Sequence, residues 1–412
     1  MSEEKIVVTA VSSITPLGNS ISEITEKLIK GISGISVITR YDLNDFPVRH
    51  GGQIDDSILN KISYPFEKVN LQFKLFYYCV NELFSKIAHN YTGSKIGCAL
   101  GTDPNTSTID DLQVLFKRYH DTTSKTYSKF DVTKLDNINP SFLMYHLSKN
   151  FGVNGPCLCN LGTCSASTQA IGTAYRLLQN KTVDMMIAGG VSSKTDPISI
   201  ARLCRLEALE PTREDLNENC RPFDKKREGF TIAEGCVLFV LERESDALRR
   251  NAEILCEISG YGAALDGFSI TDPHAEAKGM VWSMERAIYD SGISKDAIDY
   301  INAHGTATVK NDSHETKAIK KVFGEKAYNI SISSTKSMHG HLMTAAGAME
   351  VLDCIIAIKN KFIPPTIKYS NLDEECDLDY TPNVYKRKVI NHALTNSFGL
   401  GGQNASLIVS KY

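Results

Sequence analysis

The segment Asn160–Ser167, NLGTCSAS, places a cysteine between a short apolar run and a helical pattern. The run Cys157–Leu161 predicts a buried strand, and small and apolar residues recur at helical spacing over Ser165–Gln179. A sharp strand-to-helix turn would expose the sulfur of Cys164, and the positive end of the helix dipole would favour its thiolate. The pattern predicts a nucleophile; the alternative is one more buried thiol among the 11 cysteines of the chain.

A histidine follows another predicted strand. In INAHGTAT, the apolar run Asp299–Ala303 ends directly before His304, as the first run ends before Cys164. Ligands of open α/β sheets gather at the carboxyl ends of the strands. His304 is therefore a candidate functional residue, and the alternative is a core histidine bonded to a backbone carbonyl.

A lysine and two histidines lie in the loop after the predicted strand Ile330–Ser334, in SISSTKSMHGHLMTAAGAME. Burial of Lys336 in such a loop would require a nearby anion. His341 precedes a predicted helix, whose positive end would keep the imidazole neutral and able to donate a hydrogen bond. For His339 the alternative is a surface residue.

The segment Thr395–Ser406, TNSFGLGGQNAS, predicts a glycine-rich loop followed by a strand. Gly399, Gly401 and Gly402 permit positive φ and close backbone approach. Such a loop can offer N–H groups to a developing oxyanion, although a tight structural turn is the alternative. Its spacing does not fit GxGxxG.

Metal binding is not predicted. The CxC of Cys157 and Cys159 has no matching His/Cys cluster nearby, and the HxH of His339 and His341 is followed by no third ligand at ligand spacing.

Composition excludes several classes of protein. The 412 residues favour two or three folding units, and 45 Lys and Arg against 48 Asp and Glu argue against nucleic acid as a partner. There is no run of eighteen apolar residues to suggest a membrane span, and the start MSEEKIVVTAV is unlike a secretory signal. An odd number of scattered cysteines fits a reducing compartment, so we expect a cytoplasmic protein.

Strand and helix patterns alternate along the whole chain, which predicts α/β layers around parallel or mixed sheets. The scheme occurs twice, so we expect an N-terminal half over residues 1–250 and a C-terminal half over residues 251–412. A polar stretch from Thr102 to Asn139 predicts an insertion. Further predicted elements of the first half are the strands Ile6–Ala10, Lys95–Gly101, Asp184–Gly190 and Cys236–Leu241 and the helix Val69–Ile87.

Together these motifs resemble the β-ketoacyl-acyl-carrier-protein synthases, specifically the II-type branch that includes polyketide ketosynthases. The resemblance covers essentially the full length. The motifs that carry it are VVTAVSSITPLGNS, NLGTCSAS, AGG at Ala188–Gly190, RPFDKKREGF at Arg221–Phe230, HGTATVKNDSHE at His304–Glu315, SSTKSMHGH at Ser333–His341 and NSFGLGG. It implies a thiolase-like duplicated α/β fold with two halves in five α-β-α-β-α layers, and a dimer.

The resemblance also implies the roles of the residues. Cys164 would take the acyl chain as a thioester, and His304 and His341 would assist decarboxylation of malonyl and hold the enolate. Lys336 would be a structural and electrostatic lysine with Glu315 as its ion partner. The backbone N–H groups of Cys164 and Leu400 would form the oxyanion hole, in a gating loop made of Phe398, Gly399, Leu400, Gly401 and Gly402.

The implied activity is decarboxylative condensation of malonyl-carrier-protein with the bound acyl chain, an acyltransferase reaction that needs no cofactor. An acyl carrier protein, bearing the phosphopantetheine arm, would be one partner. The other would be a second copy or a chain-length-factor paralogue. We favour a type II polyketide or polyene pathway; the alternatives are housekeeping fatty-acid elongation and a non-catalytic scaffold like a chain-length factor. Thiolase is disfavoured because NSFGLGGQN contains no cysteine.

Two departures from the family pattern bear on specificity. Leu400 stands where the family usually has a gate phenylalanine. The stretch Ser63–Gln72, where part of a basic carrier-docking surface is common, contains only Lys68 beside Glu67, and Glu207 stands where some relatives have arginine. The basic residues that could compensate are Lys61, Lys74, Arg202 and Arg205.

Overall fold

The computed structural model describes residues 4–64, 69–87, 91–103 and 139–412, so the predicted insertion lies almost wholly outside the described residues. The elements of the first half are β1 Ile6–Ile14, α1 Ile21–Lys30, β2 Ser36–Val37, β3 His50–Gly51, α2 Asp56–Leu59, α3 Leu71–Lys86, β4 Ile96–Thr102, α4 Ser141–Phe151, β5 Cys157–Asn160, α5 Ala166–Gln179, β6 Met185–Ser192, α6 Pro197–Arg205, β7 Gly235–Arg243 and α7 Glu244–Arg249. Those of the second half are β8 Cys256–Leu265, α8 Lys278–Ser291, β9 Tyr300–Asn302, α9 Val309–Phe323, β10 Ser331–Ser333, α10 Lys336–His339, α11 Ala346–Asn360, β11 Phe362–Ile363, β12 Lys386–Arg387, β13 His392–Gly399 and β14 Gln403–Ser410.

The sheet shows the same strand scheme twice. Strands of the described residues join in the order β10-β9-β13-β14-β8-β1-β7-β6-β4-β5. In the first half β5, β4 and β6 are parallel, and β7 and β1 follow antiparallel. In the second half β10, β9 and β13 are parallel, and β14 and β8 follow antiparallel. The halves join where Ile6–Val8 pairs with Cys256–Ile258. The boundary at residue 250 stays a prediction.

Two helices, α5 and α11, lie between the halves and contact strands of both. The residues of α11 from Ala346 to Ile358 are all buried, as expected for a helix enclosed on every side. On the outer faces, α3 packs on β1 and β7, and α8 packs on β8 and β14. The layers are therefore α-β-α-β-α, as the family resemblance implies. Among the described residues, no helix has the length and apolar character to cross a bilayer.

The prediction of a loop over Thr395–Ser406 was wrong, because most of these residues belong to a β-hairpin. Strands β13 and β14 pair from His392 with Ser410 to Gly399 with Gln403, which leaves a turn of three residues. Gly401 and Gly402 occupy this turn with φ of +80° and +75°, a conformation that favours glycine. The polar run from Thr395 to Ser397 suggests a loop in the sequence. It is buried strand instead, because the side chains of Asn396 and Ser397 bond to groups of neighbouring elements.

Candidate active site

Cys164 lies in a tight turn between β5 and α5. A 3-10 turn over Thr163–Ser165 connects the strand to the helix, and Thr163 has a φ of +51°. The second half repeats this geometry. A 3-10 turn over Met343–Ala345, with a φ of +48° at Met343, precedes α11. The duplicated fold thus places Thr344 where the first half has its cysteine.

The structure brings both predicted histidines to this sulfur. His304 follows β9 and His341 follows α10. One ring nitrogen of each histidine and the Sγ atom of Cys164 all lie within 4.8 Å of one another. His341 Nε2 is 3.0 Å from Cys164 Sγ. The two imidazole rings are nearly perpendicular, with centroids 5.4 Å apart. Residues of both halves therefore build one site.

Hydrogen bonds fix the orientation of each imidazole. The Met343 N–H donates to His341 Nδ1 over 3.2 Å, and Lys336 Nζ donates to His304 Nδ1, also over 3.2 Å. Each neutral ring must then carry its proton on Nε2. Burial, followed by the positive charge of Lys336, holds the pKa of both histidines well below the usual value. The site therefore presents two neutral N–H donors beside one sulfur.

Lys336 pairs with a different carboxylate from the one implied by the resemblance. Its Nζ forms a buried ion pair with Glu350 on α11, not with Glu315. The Glu315 carboxylate accepts the backbone N–H groups of His304 and Gly305 at 2.9 and 2.8 Å, and the Asn396 side chain at 3.1 Å. Burial raises the pKa of both carboxyls to about 7. Glu315 thus supports the backbone of the strand end that carries His304.

The thiol of Cys164 is not a resting thiolate, contrary to the expectation from the helix dipole. The side chain is almost fully buried, and this burial raises its pKa to about 11. The charge of Lys336 and backbone hydrogen bonds from Leu400 and Cys164 itself lower the pKa, but they do not offset the loss of hydration. The nucleophile must therefore lose its proton as it attacks.

The alkylation rate of Cys164 should follow this raised pKa. Between pH 7 and 9 we expect the rate with iodoacetamide to rise about tenfold per pH unit, because the thiolate is the reactive form and is a minor species below pH 11. Intact-protein mass against time gives the rate, and Cys164→Ala supplies the background from other thiols. A rate independent of pH over this interval would show a thiol already ionised.

A cavity of about 510 Å³ opens above the sulfur. Cys164, His304 and His341 line it together with Phe398 and Gly399 at the end of β13. Leu400 and Gly402 from the hairpin turn also line it. Backbone N–H groups of Leu400 and Cys164 both face the sulfur, which is the placement predicted for an oxyanion hole. Gly401 shapes the turn and is not part of this lining.

Some residues of the site are missing from the sequence-based predictions. Glu350 is one, although a carboxylate inside the apolar run of α11 is a visible signal for a buried partner. Asn396, which contacts Glu315, is another. Thr306 and Thr308 line the cavity beyond His304. Both threonines belong to the HGTAT motif, but the sequence does not show that their side chains face the cavity.

The three central side chains also have the donor types of a metal site. The thiol of Cys164 and the imidazoles of His304 and His341 are close enough together for one metal ion to contact all three. The Lys336 ammonium, which bonds to the second nitrogen of His304, opposes a further cation there. The absence of a metal in the reaction stays a prediction.

Comparison with known proteins agrees with this site. A family model described as "Beta-ketoacyl synthase, N-terminal domain" matches residues 3–247, and one described as "Beta-ketoacyl synthase, C-terminal domain" matches residues 255–370. The chain therefore belongs to the beta-ketoacyl synthase family. It is a condensing enzyme, a ketosynthase of the acyltransferase class.

Individual relatives match over the full length. The 3-oxoacyl-[acyl-carrier-protein] synthase 2 of Synechocystis sp. is 35% identical over 100% of this chain and 99% of its own. That of Coxiella burnetii is 34% identical with the same coverage. Among solved structures, a type II polyketide synthase acyl-carrier protein in complex with its ketosynthase bound to the hexaketide has a TM-score of 0.86 at 28% identity, covering 100% of both chains. The ishigamide ketosynthase/chain length factor has a TM-score of 0.88 at 27% identity, again covering 100% of both.

Proposed function

We propose that the protein joins a malonyl unit, delivered by an acyl carrier protein, to an acyl chain held as a thioester on Cys164. The supporting observation is the sulfur faced by two neutral imidazole N–H donors. The Cys164 sulfur attacks the carbonyl carbon of the acyl thioester, the bond from that carbon to the carrier sulfur breaks, and the proton lost by Cys164 goes to the carrier sulfur, which leaves as a thiol. The N–H groups of Cys164 and Leu400 hold the tetrahedral oxyanion.

The second half-reaction uses the histidines. Loss of CO2 from malonyl leaves its electron pair as an enolate, and the Nε2–H groups of His304 and His341 stabilise the enolate oxygen. The enolate carbon attacks the thioester on Cys164, the new carbon–carbon bond forms, and the Cys164 sulfur leaves as a thiolate that takes up one proton to restore the thiol. The electrons released with CO2 form that bond, so this scheme needs no cofactor.

The carrier protein would dock at the mouth of the cavity. The arm could bond to the hydroxyls of Thr306 and Thr308 on the cavity wall. Arg202 and Arg205 are exposed at the end of α6, directly before the lining residues Leu206 and Glu207. These two arginines would attract an acidic carrier, whereas Glu207 and Glu228 on the cavity wall beside them would oppose it. Of the other docking candidates, Lys61 and Lys74 are described but lie outside this lining, and Glu67 and Lys68 fall outside the described residues.

A dimer is proposed through the edge of the sheet at β5. Within the described part of the chain, β5 pairs only with β4, and Leu158 and Leu161 are 44% and 50% exposed. An unpaired edge with exposed leucines is suited to a second chain. Light scattering should give a dimer for the wild type. A Leu158→Lys variant should give more monomer, and a monomeric wild type would contradict the proposal.

The pathway in which this condensation takes place is also proposed. We favour a type II polyketide or polyene pathway, with fatty-acid elongation as the alternative. The two differ in the chain on Cys164: polyketide extension accepts an unreduced 3-oxoacyl or an enoyl chain, and elongation requires a saturated one. Loading with acetoacetyl-, crotonyl- and butyryl-carrier protein, followed by malonyl-carrier protein, separates them by product mass. Exclusive extension of the butyryl chain would contradict a polyketide or polyene role.

A further inference from the structure

A second buried pair of ionisable side chains lies beside the Lys336–Glu350 pair. His339 and Asp353 are both fully buried, and His339 Nε2 is 3.2 Å from Asp353 Oδ2. Lys336 and His339 are the first and last residues of α10, while Glu350 and Asp353 are three residues apart on α11. Side chains three apart share a helix face. The two pairs are therefore parallel cross-links between these helices, and the reaction scheme above uses only one of them.

Each partner of the second pair depends on the other. His339 Nδ1 is 2.7 Å from the carbonyl oxygen of Gly340, which can only accept, so Nδ1 carries a proton. The remaining ring nitrogen faces the carboxyl of Asp353. Asp353 Oδ1 is buried without a hydrogen-bond partner among the described residues. His339 thus provides the hydrogen bond that the structure gives this carboxyl, and a buried carboxyl without it would be costly.

The segment that carries this pair also carries the site. Its other side is attached to residues before β7: the His341 N–H donates to the Thr231 carbonyl over 2.7 Å, and the Ala233 N–H donates to the His341 carbonyl over 2.9 Å. The segment is therefore fixed to α11 by side chains and to the neighbouring backbone by hydrogen bonds. A shift of α10 would move Lys336 at one end and His341 just beyond the other.

We propose that His339 and Asp353 are a positioning pair for the condensation, which rests on the proposed function. By holding α10 against α11, they keep Lys336 on His304 Nδ1 and His341 Nε2 at the Cys164 sulfur. An electrostatic contribution from His339 also lowers the pKa of His341, after burial and Lys336. Acyl loading requires mainly Cys164 and its backbone donors, so the pair should matter most for decarboxylation of malonyl.

The test is the double variant His339→Leu/Asp353→Leu. Replacing both partners of a buried pair by apolar residues is often tolerated, so we expect a melting temperature close to that of the wild type. We expect kcat for CO2 release from malonyl-carrier protein to fall about tenfold or more at unchanged KM, because misplacement by about 1 Å can cost about 10²-fold. Acyl loading of Cys164, measured by intact mass, should fall by a much smaller factor than CO2 release, because loading depends on Cys164, its backbone donors and His341, whereas CO2 release depends on both histidines.

Controls separate positioning from general damage. Cys354→Ala alters a buried residue of the same helix outside the pair and should leave both rates unchanged. If the double variant does not fold, the near-isosteric Asp353→Asn is measured in the same way. Wild-type CO2 release, or equal loss of loading and CO2 release, would overturn the inference. A wild-type enzyme that neither loads nor releases CO2 would overturn the proposed function, and the inference with it.

Discussion

Replacing Cys164 by alanine should abolish condensation, with a loss on the order of 10⁴-fold or more, because no other group can hold the acyl chain. The sulfur lies at the floor of the cavity, faces the backbone N–H groups of Leu400 and Cys164, and is 3.0 Å from His341 Nε2. Incubation of the wild type with an acyl-carrier protein should add one acyl mass to the intact protein. Cys164→Ala should show no addition.

Another cysteine serves as the matched control for this variant. Cys204 on α6 is half-buried and outside the cavity lining, so Cys204→Ala should load and condense normally. The same experiment discriminates the enzyme from a non-catalytic scaffold with this fold. A wild-type chain that takes up no label from any acyl donor would favour the scaffold, and persistent labelling of Cys164→Ala would assign the nucleophile elsewhere.

Replacing His304 or His341 by alanine should lower the rate of condensation by about 10²–10³-fold each, the cost of removing one preorganised donor to a developing oxyanion. The two variants should differ in the first half-reaction. His341 touches the Cys164 sulfur, so His341→Ala should slow acyl loading as well. His304 bonds to Lys336 instead, so His304→Ala should load nearly as the wild type does and fail at CO2 release.

Two further measurements check these roles of His304 and His341: the pH dependence of condensation, and the activity of a variant of a histidine outside the site. Because burial and Lys336 lower the pKa of both imidazoles, they stay neutral as pH falls through 6.5, and no loss of activity at that pH should arise from their protonation. His392 begins β13, at the far end from Phe398, and His392→Ala should retain activity. Normal condensation by both site variants would show that the assigned roles are wrong.

Local sequence patterns were sufficient for much of the fold and for the central residues. Continuous apolar runs predict the buried strands, and the bounds of the observed β6 and β7 differ from the predicted ones by only one or two residues at either end. The strand-to-helix turn at Cys164 and the histidine after β9 are also visible locally. Such elements can be predicted because hydrophobic periodicity and the turn-forming residues that end a strand are short-range features of the sequence.

The same patterns fail where polar groups are buried. Thr395–Ser397 predicts a loop, yet its residues lie in β13 because Ser397 and Asn396 find partners on other elements. The sequence also places a lysine in the site without identifying its counter-ion, since Glu315 and Glu350 are both acids near it in the chain. Only packing of α10 against α11 selects Glu350.

The sequence by itself determined which residue types stand at the strand ends: one cysteine, two histidines and a lysine, in two similar halves. The tertiary structure decided their chemical state. Enclosure by both halves removes water from the site, which raises the pKa of Cys164 to about 11 and keeps the imidazoles neutral. Desolvation depends on every element that surrounds a group, and hydrogen-bond direction depends on atoms far apart in the chain. Neither can be read from spacing along the sequence.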